Sequence, residues 1–407
     1  MCVELLRALY GLQDSPALWF EELCSVFREL GLIQSKEEPC LFYSEDRTIF
    51  LIFFVDDIII AYQEESEEAA QKIFAGLHQA FELDDKGEVK YFLGIQVLRD
   101  PSTRRIFLSH EAYIRRLAEK FPQSGNGTFP SIPIPAIEYH KHTGQADKQT
   151  VKLYQEKVGS ILYTSIMIRP DMAFAAAKLS QYLTNPSPVH MQAADQAIRY
   201  LVLTSNLSLC FGGDRDIRVL EVASDASFAD DNETRRSSQG YLFTLFGGPI
   251  MWKATRQPTV TTSSTEAELL ALQQTVKEAM SLVRLFKDLK FDTEEDMVVH
   301  CDNKQTIRLV LNESERINTR LRHVDIHNMW LKQEYHSGSF QLEYLPTADM
   351  PADGFTKALN RQQFEKFRNM LGLTDTSHMS NSLPPVSADQ IPDPPLLPTM
   401  LGSASRK

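Results

Sequence analysis

Four acidic residues in the second half of the chain stand where a strand ends or a helix begins. They occur in the segments VASDASFAD, SSTEAELLAL, VVHCDNKQ and TADMPADGFTKAL, and they are Asp225, Glu268, Asp302 and Asp353. Hard divalent cations take oxygen ligands, and two ions about 3.5–4 Å apart stabilise the attacking and leaving oxygens of a phosphodiester together. Without cations, four carboxylates in one cleft would raise each other's pKa. The four acids therefore predict a two-metal site for phosphodiester hydrolysis.

Each acid taken singly also has a structural explanation. An Asp at a strand end or before a helix is most often a turn or N-cap residue, which would account for Asp225 and Asp302. Asp353, which follows Pro351 closely, would stabilise a helix N-terminus through its charge. Only the four together point to metal chemistry.

Two glutamates on the predicted long helix are candidates for the metal ligand. Glu266 follows Ser263 at the spacing of a capping box, which gives Glu266 a structural role and places it on the polar face. Leu272 and Val276 follow Glu268 at helical spacing, so Glu268 shares the apolar face that packs on the sheet. A carboxylate on a buried face is costly and needs a reason. The pattern favours Glu268 as the ligand.

A pair of adjacent acids in the first half, Asp56 and Asp57, lies between two β-branched and aromatic runs. Ile49–Val55 and Ile58–Tyr62 indicate a hairpin with both acids at its turn. Because two acids at a turn are common by chance, the hairpin alone is a weak signal for a metal site.

The elements around these acids follow an alternating pattern. From about residue 219 the periodicity indicates three strands, a helix, a strand, helices, a strand and a helix, which predicts an α/β layered domain. Two helical stretches, Tyr154–Leu183 and Val189–Leu203, precede it. Six of the 20 prolines lie between Pro384 and Pro398, which predicts a disordered tail.

The composition of the 407 residues, 43% hydrophobic and 24% charged, is that of a soluble globular protein. The formal net charge of −12 argues against coating nucleic acid by bulk charge, and it leaves room for a local basic groove or for carboxylates that act through metal ions. Five scattered cysteines fit a reducing compartment. Charges near the N-terminus argue against a signal peptide, and the longest apolar run is too short to span a bilayer. We therefore expect an intracellular protein with no membrane partner.

Several long segments occur in a definite order along the chain. In residues 219–362 they are SDASFAD, RRSSQGYLFTLFGGPIMWKATRQPTVTTSSTEAELLAL, HCDNKQTIRL, RHVDIHNMW and TADMPADGFTKAL. In the first 200 residues they are LLRALYGLQDSPALWF, FFVDDIII, YFLGIQV, LYTSIMIRPDMAFA and LSQYLTNPSPVHMQAADQAIRYL. The first set resembles the RNase H domain of copia-type LTR retrotransposon Pol polyproteins. The second set resembles the reverse transcriptase and the connection that precede that domain.

This resemblance implies a partial reverse-transcriptase palm, a helical connection and an RNase H-like mixed sheet with helices. It implies Mg²⁺ or Mn²⁺ as cofactor, and an RNA/DNA hybrid or template-primer as partner. The residues to which it assigns metal binding and catalysis are Asp225, Glu268, Asp302, Asp353, Asp56 and Asp57. Residues 54–57 resemble the polymerase hairpin, with Phe54 where Tyr is usual. By resemblance the protein would lie in a cytoplasmic virus-like particle or in the nucleus.

Two departures from the family pattern limit what we expect. The loop between Pro346 and Pro351 holds no His, so the proton donor stays unassigned; His323 and His327 are candidates that also have structural explanations. The first polymerase Asp of the family lies upstream of the LYGL segment, and a hairpin without it leaves the two-metal coordination incomplete. We expect a truncated polymerase without DNA synthesis, completed only by other Pol domains or a second chain. The alternative is a catalytically dead relic or a domesticated nucleic-acid-binding protein; an integrase or resolvase fits the flanking segments less well.

The expected domains are a partial reverse transcriptase in 1–120, a connection in 121–214, an RNase H-like domain in 215–362, and a helix end with the Pro-rich tail in 363–407. Basic residues in the RNase H-like segments form either a surface that contacts the nucleic-acid backbone or an ordinary solvated surface. The residues assigned to that surface are Arg235, Arg236, Lys253, Arg256, Arg320 and Arg322.

Overall fold

A computed structural model describes residues 11–122, 129–213, 220–293, 296–314 and 322–380. The chain forms two compact units, one of Met1–Val89 with Met280–Asp292, the other of Lys90–Ala279 with Thr293–Lys407. Arg320 and the Pro-rich tail lie outside the described residues. In the described ranges no helix is both long enough and apolar enough to cross a membrane.

The first unit is an antiparallel sheet covered by two helices. Its elements are α1 (Ser15–Glu29), β1 (Ile33–Gln34), β2 (Leu41–Tyr43), β3 (Ile49–Phe54), β4 (Asp57–Tyr62) and α2 (Glu67–Ala80), with the strands in the order β1-β2-β3-β4. Pro16 lies in the first turn of α1, where its missing N–H breaks no helical bond, and Gly31 ends the helix at a φ of +83°. Phe27 of α1 packs edge-on against Phe42 and Phe53 of the sheet. These three rings form the centre of the core of this unit.

The hairpin between β3 and β4 turns one residue earlier than the sequence pattern predicts. Phe54 pairs with Asp57, so Val55 and Asp56 form the two-residue turn and Asp57 opens β4. Val55 has a φ of +55°, which is strained for a β-branched residue, and its carbonyl accepts a 2.8 Å hydrogen bond from Trp19 Nε1. Both acids are exposed to solvent, and among the described strands β4 lies at the edge of its sheet.

A helix end contributed by a distant part of the chain completes this unit. Asp288 accepts hydrogen bonds from Ser35 Oγ at 2.6 Å and from Tyr43 Oη at 2.9 Å. Arg47 donates to the backbone carbonyl of the same residue at 3.2 Å, so the last turn of that helix is held by side chain and backbone together.

The second unit contains two five-stranded sheets. The first is antiparallel, in the order β14-β8-β7-β6-β5. Its strands are β5 (Tyr91–Phe92), β6 (Ile95–Asp100), β7 (Arg105–Ser109), β8 (Leu207–Gly212) and β14 (Thr374–Asp375). The pairing of β7 with β8 joins segments about a hundred residues apart in the chain. It therefore ties the end of the first quarter of the chain to the start of the second half.

Among the described residues, the helices that connect these segments are α3 (Glu111–Lys120), α4 (Lys148–Met167), α5 (Ala173–Leu179) and α6 (Pro188–Leu203). The single helical stretch predicted for Tyr154–Leu183 is wrong, because the helix ends before Pro170 and resumes as α5 after a 3-10 turn. Proline cannot continue the hydrogen-bond ladder, and it disfavours helical backbone in the residue before it.

Arg169, which stands at this break, is fully buried. Its guanidinium donates to both carboxylate oxygens of Asp171 at 2.8 and 2.7 Å and to the Thr204 carbonyl at 2.9 Å. Tyr200 Oη donates to the same carboxylate at 2.7 Å. Arg169 follows α4, Asp171 lies in the 3-10 turn, and Tyr200 and Thr204 lie in α6 and at its end, so the network fixes these three elements relative to one another.

The second sheet confirms the α/β pattern that the sequence predicts. Its order is β11-β10-β9-β12-β13, antiparallel from β9 to β11 and parallel from β9 through β12 to β13. The strands are β9 (Glu221–Ser227), β10 (Ser238–Leu245), β11 (Gly248–Arg256), β12 (Val298–Cys301) and β13 (Gln341–Tyr344). The helices are α7 (Ser264–Asp288), α8 (Lys304–Leu311), α9 (Arg322–His336), α10 (Asp353–Thr356), α11 (Arg361–Met370) and α12 (Ser377–Ser380).

Both faces of this sheet are covered. On one face α7 packs closely, and Thr275 Oγ1 donates to Ser224 Oγ at 3.1 Å. On the other face α5 and α10 lie against the strands, and Trp252 Nε1 donates to the Ser165 carbonyl at 2.7 Å. One hydrophobic cluster runs from helices α3–α6 through the sheet to α10 and α11. Trp252 is thus partly buried against this cluster.

Candidate metal centre

Three of the predicted acids converge at one edge of the second sheet. Asp225 lies in β9, Asp302 directly follows β12, and Glu268 lies in the second turn of α7. Each offers a carboxylate oxygen, and these oxygens lie within 4.8 Å of one another. The convergence follows from topology, because β9 and β12 are parallel neighbours and their carboxyl ends meet at the same edge.

Two oxygens of this group are buried and unpaired. Asp225 is 1% exposed and Glu268 is 6% exposed. Within the described part of the chain, neither Asp225 Oδ1 nor Glu268 Oε2 has a hydrogen-bond partner. An unpaired buried carboxylate oxygen costs free energy unless a cation compensates it. The all-oxygen donor set and its free lone pairs fit Mg²⁺ or Mn²⁺.

The electrostatics of the group are unfavourable without a cation. Burial raises the pKa of Asp225 to about 6, against the pull of the Lys357 ammonium and with a further contribution from Asp353. Burial and the neighbouring carboxylates of Asp225 and Asp302 raise the pKa of Glu268 well above its ordinary value. At neutral pH the folded protein therefore holds negative charge that it stabilises poorly.

We expect this charge to appear in the pH dependence of stability. The Asp225 pKa rises from an ordinary 3.8 to about 6, so its contribution is fully present below about pH 4 and is lost as the pH rises through 6. The loss should be on the order of a few kcal/mol. Melting curves in EDTA should show a steeper fall between pH 4 and 7 for the wild type than for Asp225→Asn, and Mg²⁺ should remove the difference. Identical slopes would contradict a raised pKa at this site.

Asp302 does not cap the helix that follows it, although its position in the sequence suggests that role. The N-cap of α8 is Asn303, whose side chain accepts from the Thr306 N–H at 3.0 Å. Asp302 Oδ2 instead accepts a 2.6 Å hydrogen bond from Thr347 Oγ1. The carboxylate is thus positioned by a neighbouring loop and not used to end a helix.

Glu266 and Glu268 are both buried, so the predicted polar-face position of Glu266 is wrong. The two glutamates differ in the hydrogen bonds that their carboxylates accept. Glu266 Oε2 accepts from the Thr262 N–H at 2.6 Å and from Thr262 Oγ1 at 2.8 Å, and its own N–H donates to Ser263 Oγ at 3.2 Å. Glu266 therefore secures the start of α7, whereas Glu268 keeps an oxygen free.

Asp353 is placed differently from the other three acids. It opens α10, and in the described structure it is not one of the three carboxylates whose oxygens converge. Lys357 links it to them, with Nζ 2.7 Å from Asp353 Oδ1 and 3.6 Å from Asp225 Oδ2. Thr356 Oγ1 also donates to Asp225 Oδ2. Sequence reasoning missed both residues; the i, i+4 spacing of Asp353 and Lys357 is the signal that could have indicated the ion pair.

A glycine lets α10 approach the sheet at this point. Gly240 pairs with Asp225 in the β9–β10 register, and a Cβ on Gly240 would lie 2.5 Å from Phe355 Cβ. The close approach brings Thr356 and Lys357 to the Asp225 carboxylate.

Comparisons with known proteins identify the family of this chain. Residues 1–136 match the family model described as reverse transcriptase (RNA-dependent DNA polymerase). Over 382 residues the chain is 32% identical to the retrovirus-related Pol polyprotein from transposon TNT 1-94 of Nicotiana tabacum, a match that covers 92% of this chain and 28% of that protein. The chain belongs to the copia-type Pol family.

A second Pol relative, from transposon RE1 of Arabidopsis thaliana, is 30% identical over 91% of this chain and 25% of its own length. The chain thus spans about a quarter of the length of the curated Pol relatives it matches. Among solved structures, the foamy viral protease-reverse transcriptase in complex with RNA/DNA hybrid is similar at 14% identity, with a TM-score of 0.47, covering 84% of this chain and 39% of that one.

The remaining predicted residues of this Pol chain have other surroundings and partners. Arg235, Arg236, Lys253 and Arg322 are exposed, and Arg256 forms an ion pair with Asp231. His323 and His327 pack edge-on against each other in α9, and neither belongs to the carboxylate group among the described residues. Asp56 and Asp57, in the first unit, form no metal-ligating group with a third described side chain.

Proposed function

We propose that this Pol chain hydrolyses the RNA strand of RNA/DNA hybrids with divalent metal ions, Mg²⁺ or Mn²⁺. One observation carries the proposal: three carboxylates converge at the strand edge, and two of them keep a buried oxygen without a partner. Asp225, Glu268 and Asp302 would hold the ions, with Asp353 as a fourth ligand. When bound, the ions would neutralise charge on the attacking and leaving oxygens of the scissile phosphate.

The residues around the acids prepare them for this role. Thr356 and Thr347 bind one oxygen each of Asp225 and Asp302, which fixes both carboxylates before a ligand arrives. Preorganised ligands need little rearrangement when the reaction occurs, and burial at Asp225 and Glu268 keeps water from competing for their oxygens.

For the substrate, we propose backbone contacts from the basic residues that the sequence assigns to this surface. The residues are Arg235, Arg236, Lys253, Arg256, Arg320 and Arg322. Contacts of this kind hold phosphates and 2′-hydroxyls by shape, and they depend little on base sequence. Arg256 would contribute least, because Asp231 already neutralises it.

We propose that the described residues do not support DNA synthesis by themselves. Asp56 and Asp57 supply carboxylates from a single hairpin, and a two-metal polymerase site needs a further acidic strand. Other Pol domains or a second chain would have to supply it. A cytoplasmic particle or the nucleus is the proposed location, by family.

The decisive experiment is cleavage of a labelled RNA/DNA hybrid in Mg²⁺ by the purified chain and by Asp302→Asn. Loss of a metal ligand should reduce the rate roughly 10²–10⁴-fold, since several kcal/mol of transition-state stabilisation disappear. Asp349→Asn is the matched control, because Asp349 is an exposed acid that pairs with Lys366 and should be dispensable. A folded wild type that cleaves in neither Mg²⁺ nor Mn²⁺ would reject the enzyme and favour a nucleic-acid-binding relic.

A further inference from the structure

Lys357 lies within the candidate metal centre, immediately after α10. Its ammonium is 2.7 Å from Asp353 Oδ1 and 3.6 Å from Asp225 Oδ2. It therefore lies where a cation bridging these two acids would lie. Its side chain is 36% exposed, so it is half-buried.

This position explains why the fourth predicted acid stands apart. Asp353 is 18% exposed and is bound to Lys357, whereas the other three acids converge without it. Near the same carboxylates the ammonium and a divalent ion would repel each other strongly, because two positive charges a few ångströms apart in a partly buried site are poorly screened. Occupation of the Asp225–Asp353 side by an ion thus requires Lys357 to leave.

We propose that Lys357 is a counter-cation that holds the Asp225–Asp353 side of the metal centre closed until a divalent ion displaces it. The proposal rests on the function proposed above. The lysine stem has four rotatable bonds and an exposed flank, so its head can move to solvent without any change in the backbone. Thr356 keeps its hydrogen bond to Asp225 throughout, and the carboxylate stays in place for the incoming ion.

The test measures metal binding directly rather than cleavage. Mg²⁺ and Mn²⁺ are titrated calorimetrically into the full chain, and melting temperatures are recorded in EDTA and in Mg²⁺. Lys357→Met should bind the ion at least about tenfold more tightly than the wild type, because one competing charge is gone. In EDTA it should melt lower, since the acids lose their cation. The gain in melting temperature on adding Mg²⁺ should therefore exceed that of the wild type.

Two further variants separate this role from a structural one. Lys366→Met removes an equally charged lysine from the ion pair with Asp349, and its Mg²⁺-dependent gain should equal that of the wild type. Lys357→Arg keeps the charge and should bind metal no more tightly than the wild type. It also provides a folded comparison if Lys357→Met is too unstable to titrate.

The outcomes are distinguishable. If Lys357→Met binds metal as the wild type does, and its melting temperature is lowered equally with and without Mg²⁺, Lys357 is a structural ion pair and the inference fails alone. Weaker binding by Lys357→Met would overturn it as well, since the lysine would then assist the ion. If no metal stabilises either protein, the metal centre itself is rejected, and the proposed function fails together with the inference.

Discussion

Replacement of Glu268 by Gln should reduce hydrolysis of the RNA strand at least about 10³-fold, equivalent to roughly 4 kcal/mol, and should also raise the melting temperature of the metal-free protein at neutral pH. The two effects share one cause. Glu268 is buried, its pKa is raised well above the ordinary value by burial, and one of its oxygens lacks a partner in the described structure. A neutral amide of the same size removes the unfavourable charge, and with it a metal ligand.

Glu266→Gln is the matched control for this experiment. Glu266 lies two residues away on the same helix, and its carboxylate is satisfied by Thr262. Its substitution weakens charge-assisted bonds, so stability should fall by about 1 kcal/mol while cleavage persists. Single-turnover cleavage in Mg²⁺ and melting curves in EDTA measure both effects. If the Glu268→Gln protein melts lower than the wild type, the Glu268 carboxylate stabilises the metal-free fold, and the predicted cost of its buried charge is contradicted.

The second large effect concerns the buried network at the α4–α5 break. Arg169→Met should destabilise the second unit by about 3–5 kcal/mol, because it leaves the Asp171 carboxylate buried without its bidentate partner. Thr204 also loses two hydrogen bonds, one to its carbonyl and one to its hydroxyl. Urea unfolding of the full chain measures the loss.

The double variant Arg169→Met/Asp171→Leu separates charge from packing. Replacing a buried ion pair by apolar residues of similar volume is often close to neutral, so the double variant should recover a large part of the stability that Arg169→Met loses. If the double variant is less stable than either single variant, the network stabilises the fold through its geometry, and the cost of an unpaired charge is not the main term.

The strand and helix order of the second sheet could be predicted, because its apolar periodicity is strong and its acids fall at strand ends. What the sequence could not reveal depends on neighbours that are distant in the chain. Lys357 enters the metal centre only because Gly240 admits α10 to the sheet. Glu266 is buried although its helical position predicts exposure, since its carboxylate accepts hydrogen bonds from the backbone N–H and the hydroxyl of Thr262.

The hairpin shows the limit of local patterns on a smaller scale. Two adjacent acids between apolar runs indicate a turn, but the choice of turn residues depends on the register Phe54↔Asp57. Trp19 supports that register by binding the Val55 carbonyl from a helix more than thirty residues away. Likewise, nothing local signals that Leu207–Gly212 pairs with Arg105–Ser109. The domain limits at residues 120, 214 and 362 remain a prediction.

The continuous hydrophobic cluster of the second unit bears on how this Pol segment can be dissected. A fragment cut at residue 215 would keep the five strands around the acids but lose α5, and Trp252 would lose its acceptor on Ser165. The part of that sheet face against which α5 packs would then be solvated, while α10 would still cover its own part of the face. The portion of the chain that carries the three acids is therefore not expected to fold as an excised module, because α5 packs on β11 of its sheet.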